Sequence, residues 1–359
     1  MRHALLLTLA AAAPALHAQV PARFAERVDA YAEAELARQH IPGFSLAVMQ
    51  AGHIVLERGY GLANVEHQVA ATPATIYQSG SLGKQFTAAA VMLLVQDGKL
   101  SLADPVTRYF PNAPPGWGAV TIRHLLTHTS GAGDYPDDFD FRHDHTEGDM
   151  AALVLSRPFE FRPGDAWQYS NLGYVLLGAI IHKVSGEFYG DLLRTRIFLP
   201  FELTTARIIT EADIVPNRAA GYRLVDGQLK NQEWVSPVVN TTADGSLYLT
   251  VRDMARWDSA LYGTDLLTPE SFRQITTPVT LNSGKTYPYG FGWRVGSTNG
   301  HRIMAHSGSW QGFKTYVVRY PDDRVTVVVF ANLAQADVTA IAQGVAALWD
   351  PKLVPMAEE

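Results

Sequence analysis

The chain of 359 residues contains no cysteine. Disulfides, thiol catalysis, cysteine-linked lipids and cysteine-ligated zinc are therefore excluded, and a core of this size needs none of them to hold together. Charge of one sign is also scarce: 29 basic against 35 acidic residues give a net charge of -6, which offers no basic field for nucleic acid. Beyond the N-terminus, no stretch stays apolar for the roughly 20 residues that a spanning helix requires. No Gly-x-Ser-x-Gly elbow occurs, so the nucleophile turn of α/β-hydrolases is missing. Ser283-Gly284-Lys285-Thr286 imitates a phosphate loop, but Val279 stands where its first glycine is needed. Repeats and low-complexity linkers are absent, and nothing in the sequence calls for a cofactor.

What the chain does have begins with Met1-Arg2-His3 and an apolar run from Ala4 to Ala13. A short basic start before such a run is the pattern of a secretory signal peptide. Cleavage is expected after Ala18, with Ala15 as the alternative. Residues 1–18 then form a leader, residues 19–359 one catalytic domain without an integral membrane segment, and the destination is the periplasm or the exterior.

Residues 22–38, rich in Ala and Glu, read as a helix, and 44–49 and 53–57 as two strands around the turn Ala51-Gly52. From Ser81 to about residue 230, apolar runs alternate with breaks such as Pro114-Pro115-Gly116, which predicts a mainly helical region. Strand patterns return at 291–295, 315–320 and 325–330, before a closing helix over 338–349. Strands at both ends around a helical insertion predict an α+β fold. Its antiparallel sheet, flanked by helices as an α/β/α sandwich, would draw on about 19–75 and 232–359, and the helical region on about 76–231.

The chemistry starts at Ser81-Leu82-Gly83-Lys84. Helical positions i and i+3 share a face, so the hydroxyl and the amine can meet. A serine is a weak nucleophile until a neighbouring base takes its proton, and a buried lysine can serve as that base. Ser81 would sit at a helix N-terminus, where unpaired N–H groups favour a developing anion. Two further elements follow downstream: Tyr169-Ser170-Asn171 ahead of an apolar stretch, and His306-Ser307-Gly308-Ser309 in a β-like segment. The acidic loop holding Asp134, Asp137, Asp138, Asp140, His143, Asp144, His145 and Glu147 lacks a helical His pairing and is broken by proline, so it reads as a solvated cleft edge and not as a metal site. His124 and His128 read as packing or hydrogen-bonding residues.

These three elements, in this order, resemble the serine β-lactamase and penicillin-binding-protein superfamily, in its class C β-lactamase and D-alanyl-D-alanine carboxypeptidase-like branch. The resemblance extends to Tyr77-Gln78-Ser79-Gly80, to the segment His124-Leu125-Leu126-Thr127-His128-Thr129-Ser130-Gly131, and to Asp244-Gly245-Ser246-Leu247-Tyr248-Leu249-Thr250. It implies Ser81 as the acylated nucleophile and Lys84 as base or proton carrier. Tyr169 would pass the proton to the leaving group, and Asn171 would orient Lys84 and hold the acyl amide. The N–H groups of Ser81 and Ser309 would form the oxyanion hole, while His306, Ser307 and Gly308 would line the substrate. Where many β-lactamases carry Lys-Thr-Gly, this chain has His306-Ser307-Gly308, as carboxypeptidase-like, D-aminopeptidase-like and esterase-like members do. The resemblance thus implies an exported serine hydrolase acting on a peptide or a small-molecule amide or ester. A β-lactamase, and a penicillin-binding protein acylated without turnover, remain its alternatives.

Overall fold

In the computed structural model, residues 20–210 and 212–354 are described. The expected leader lies outside them. Helix α1 (Phe24–Gln39) leads into β1 (Gly43–Gln50), β2 (His53–Asn64), β3 (Val69–Ala70) and β4 (Tyr77–Gln78). Then come α2 (Lys84–Gln96), α3 (Ile122–Leu126), α4 (Glu147–Ser156), α5 (Asn171–Ser185) and α6 (Tyr189–Leu193). Short strands β5 (Arg207–Ile208), β6 (Tyr222–Val225), β7 (Gln228–Asn231) and β8 (Leu247–Leu249) precede α7 (Val251–Ala260) and α8 (Pro269–Ile275). The chain closes with β9 (Val279–Thr280), β10 (Thr286–Tyr287), β11 (Arg294–Thr298), β12 (His301–Trp310), β13 (Phe313–Tyr320), β14 (Val325–Ala331) and α9 (Val338–Trp349).

The main sheet runs β11-β12-β13-β14-β1-β2-β3, antiparallel throughout, so the two ends of the chain meet where β1 pairs with β14. Every residue of β1 and of β14 is buried, because both faces of the sheet are covered. Side chains alternate between those faces along a strand. Phe44, Leu46, Val48, Val327 and Val329 pack with Phe24 and Val28 of α1 and Ile341 and Val345 of α9. Ala47, Met49, Val328 and Phe330 instead join α2 and Trp257 of α7. Each such aliphatic side chain contributes about 1.5–3 kcal/mol by leaving water. Helix α2 is buried from Lys84 to Leu94, mostly by apolar side chains, as expected of a helix enclosed by others. Among the described residues, no helix is long and apolar enough to cross a membrane.

Two expectations need correction. The stretch to residue 230 is not helical to its end: β6 and β7 form a hairpin around Asp226 and Gly227, both at positive φ (51° and 74°). That Asp-Gly pair is the signature of a type I′ turn and was legible in the sequence. The strand expected at 291–295 begins instead at Arg294, because Gly292 has φ 70° and its Cα lies against the backbone of Lys84 and Gln85, where a Cβ would not fit. Ser81 lies in the 3-10 turn Gly80–Gly83, which runs directly into α2.

Candidate active site

The turn that carries Ser81 is pressed against β12. Gly80 has φ 53°, and a Cβ there would stand 2.5 Å from the Ser309 nitrogen. On the other side of the contact, a Cβ on Gly308 would fall onto the Ser79 carbonyl. Glycine at both positions is what lets the turn that carries Ser81 approach the strand. Strand β11 pairs with β12 only from His301 to Ala305, so from His306 onward that edge of β12 is not covered by β11. Ser307 and Ser309 are exposed there, while His306 and Gly308 point inward.

Lys84 is fully buried. Its Nζ lies 3.0 Å from Ser81 Oγ, 2.8 Å from Asn171 Oδ1 and 2.6 Å from the Asp244 carbonyl oxygen. An amide oxygen and a peptide carbonyl can only accept, so two N–H bonds of Lys84 are committed to them. What faces Ser81 Oγ is therefore the third N–H of an ammonium or the lone pair of a neutral amine. That is the geometry for moving a proton between Ser81 and Lys84.

Asn171 is the first residue of α5, and Ser170, whose Oγ accepts from the Gly173 N–H, is the cap. The Asn171 amide is oriented by Asp134, whose Oδ2 accepts from its Nδ2 at 2.9 Å. The same carboxylate accepts from the backbone N–H groups of Asn171 and Leu172, at 2.9 and 3.1 Å. Asp134 thus caps α5 and turns the Asn171 oxygen toward Lys84. Sequence reading placed Asp134 in a solvated loop and missed it. Among the described residues, no group of three or more His, Asp and Glu side chains is arranged to hold a metal.

Tyr169 packs beside the amine: Lys84 Nζ is 4.9 Å from its ring centroid. Its hydroxyl is buried and has no hydrogen-bond partner among the described residues. His128 packs against the same ring, with centroids 4.2 Å apart and the planes tilted by 36°. The His128 backbone oxygen accepts from the Gln168 N–H at 2.9 Å, and its Nδ1 accepts from the Ser170 N–H at 3.2 Å. Both chain neighbours of Tyr169 are thereby held by one histidine.

His306 requires a revised role. It is 3% exposed, its Nδ1 lies 2.6 Å from the Ser307 carbonyl, and its Nε2 lies 2.9 Å from the Tyr289 hydroxyl. With both nitrogens engaged inside the protein, the imidazole offers no polar atom to a substrate. Burial depresses its pKa to about 3, against the opposing pull of the Ser307 carbonyl. Burial, with help from the Lys84 charge, also holds His128 well below the ordinary imidazole range. Asp244 is buried beneath Lys84, and desolvation raises its carboxyl pKa while the Lys84 charge opposes the rise. The nearby cation that sequence reading overlooked is Arg294, which is exposed and stands 5.8 Å from the Trp167 ring centroid.

Comparison with known proteins places this arrangement among relatives. The family described as Beta-lactamase matches residues 28–348. Penicillin-binding protein 4* of Bacillus subtilis (strain 168) is 32% identical, over 83% of this chain and 69% of its own length. The D-aminopeptidase of Gluconobacter oxydans (strain 621H) is 29% identical, over 90% of this chain and 62% of its own length. The chain therefore spans only about two thirds of each of these relatives. Among solved structures, the octameric penicillin-binding protein homologue from Pyrococcus abyssi superposes with a TM-score of 0.80 at 29% identity, covering 91% of this chain and 78% of its own.

Proposed function

Because the chain belongs to the beta-lactamase family and is a serine hydrolase, we propose that it forms an acyl-enzyme at Ser81 and cleaves a peptide amide or ester. Peptides carrying a D-amino acid are the first substrates to test, since one relative is a D-aminopeptidase. The observation that carries this reading is that Asn171 and Asp244 take two of the three positions on the Lys84 nitrogen and the third faces Ser81 Oγ, where it can receive the Ser81 proton.

In the proposed reaction, Ser81 Oγ attacks the carbonyl carbon as its proton passes to Lys84. The oxyanion that forms accepts from the N–H groups of Ser81 and Ser309, a pairing supported by the close approach of Gly80 to the Ser309 backbone. Such donors contribute about 3–4 kcal/mol each in other hydrolases. The C–N or C–O bond then breaks, and the leaving group takes a proton from Tyr169, whose unpartnered hydroxyl is free to give it. Water later attacks the ester carbon, with the same groups moving protons in reverse and restoring Ser81. The signal-like residues 1–18 support export, which sequencing the N-terminus of the secreted protein would check.

Similarity to a penicillin-binding protein supports a second reading, in which β-lactams acylate Ser81 without release. Intact-mass kinetics with a penicillin, a D-alanyl peptide and an activated ester separate the two. Turnover of the peptide or ester, with a transient adduct on Ser81, is the expected result. A persistent penicillin adduct with no turnover of the others would favour the second reading, and labelling at any other residue would remove both.

A further inference from the structure

Four hydrogen bonds run across the cleft floor from the second motif to the third. They join the Ser170 N–H to His128 Nδ1 (3.2 Å), His128 Nε2 to Tyr289 Oη (3.1 Å), Tyr289 Oη to His306 Nε2 (2.9 Å) and His306 Nδ1 to the Ser307 oxygen (2.6 Å). The two ends fix the direction of the whole chain. A peptide N–H can only donate, so His128 Nδ1 is bare and its Nε2 carries the proton. A peptide carbonyl can only accept, so His306 Nδ1 carries the proton and its Nε2 is bare. Tyr289 must then accept from His128 and donate to His306. Protonating either imidazole would place a second donor where the chain needs an acceptor.

We propose that His128 and Tyr289 are positioning residues that act through Tyr169, the one-way chain from Ser170 to Ser307 fixing the Tyr169 ring and keeping both imidazoles neutral beside it. This deepens the role given to Tyr169 above and rests on that role. Three contacts support it. The His128 ring lies 4.2 Å from the Tyr169 ring, and the Tyr289 and His306 rings lie 6.4 and 6.2 Å from it. His128 also binds the backbone on both sides of Tyr169. The three side chains of the chain, His128, Tyr289 and His306, are buried, so water cannot substitute for a lost partner. Neutral imidazoles leave Lys84 Nζ, 4.9 Å from the ring centroid, as the group that can carry a positive charge beside the Tyr169 ring.

The test begins with the unaltered protein carrying 15N-labelled histidine. Ring-nitrogen spectra should show His306 protonated at Nδ1, His128 protonated at Nε2, and neither charged between about pH 5 and 8, where an ordinary histidine titrates. The opposite tautomer at either residue would overturn the inference. Next, Tyr289→Phe removes the central hydroxyl and preserves the ring. It should shift the His306 Nε2 signal and lower kcat about tenfold, with KM within about twofold, the loss expected when a buried partner is left unpaired. In a Tyr169→Phe background, the same change should cost no further activity. Full kcat in Tyr289→Phe, or losses that multiply in the double variant, would contradict action through Tyr169. If Tyr169→Phe itself retained full activity, the role of Tyr169 would fail, while the tautomers would still report on the chain.

Discussion

Lys84 Nζ lies 3.0 Å from Ser81 Oγ, and its other two hydrogen-bonding positions are filled by Asn171 Oδ1 and the Asp244 carbonyl. A buried nitrogen so placed has one direction left in which to exchange a proton. Ser81→Ala should therefore abolish both activity and labelling by a fluorophosphonate. Lys84→Ala should lower turnover by about 10² or more, as expected for an acid–base group. Burst and steady-state kinetics measure both, and near-normal turnover in Lys84→Ala would remove it from the proton path.

Asp134 does two things at once, and two substitutions separate them. Asp134→Asn keeps an oxygen to accept from the N-terminus of α5, so stability should hold to within about 0.5 kcal/mol, Asn and Asp being comparable caps. Its own amide N–H groups would then meet the Asn171 Nδ2 donor, and kcat should fall about tenfold as that amide loses its orientation. Asp134→Ala should lose both, with about 1 kcal/mol of stability. Equal activity in Asp134→Asn and the unaltered protein would confine Asp134 to capping.

Acid should weaken the fold through the buried imidazoles. His306 has its pKa depressed to about 3 and His128 has its pKa lowered too, whereas an unfolded histidine titrates near 6.5. Below about pH 6.5 the unfolded chain binds protons that the folded one refuses, so stability falls as pH drops from there toward 3 and is fully present above it. Each imidazole contributes a slope of at most about 1.4 kcal/mol per pH unit. Denaturant midpoints between pH 7 and 5 should show this slope, and His306→Gln should flatten it. An unchanged slope in that variant would place the acid sensitivity elsewhere.

Arg294 is an exposed cation near the third motif, and its charge helps depress the His306 pKa. With the imidazole unable to reach a substrate, Arg294 is the group expected to meet a substrate carboxylate. Arg294→Ala should raise KM up to about fivefold for carboxylate-bearing peptides and β-lactams, the scale of an exposed ion pair, and leave neutral esters unchanged. Equal effects on both substrate classes would argue that Arg294 serves packing on Trp167 alone.

The sequence by itself determined the Ser81–Lys84 contact and the frame of the fold. Ser81 and Lys84 are three residues apart, so local helical geometry alone brings them together. The strands at both ends of the chain and the Val338–Trp349 helix were legible because a short apolar run or a helical repeat is written within a few neighbouring residues. The Asp226-Gly227 turn was equally local and was passed over in favour of the helical neighbourhood. Only the tertiary structure decided the rest. Asp134 meets Asn171 across 37 positions, and Tyr289 meets His128 across 161, separations that leave no periodic trace. The fate of His306 was decided the same way. Its residue type suggests a substrate contact, but the pleat of β12 turns it inward, where Tyr289 and the Ser307 carbonyl occupy both nitrogens. Short-range spacing fixes which atoms can react; long-range packing fixes which of them are buried, partnered and neutral, because desolvation and hydrogen bonding depend on neighbours the local chain does not contain.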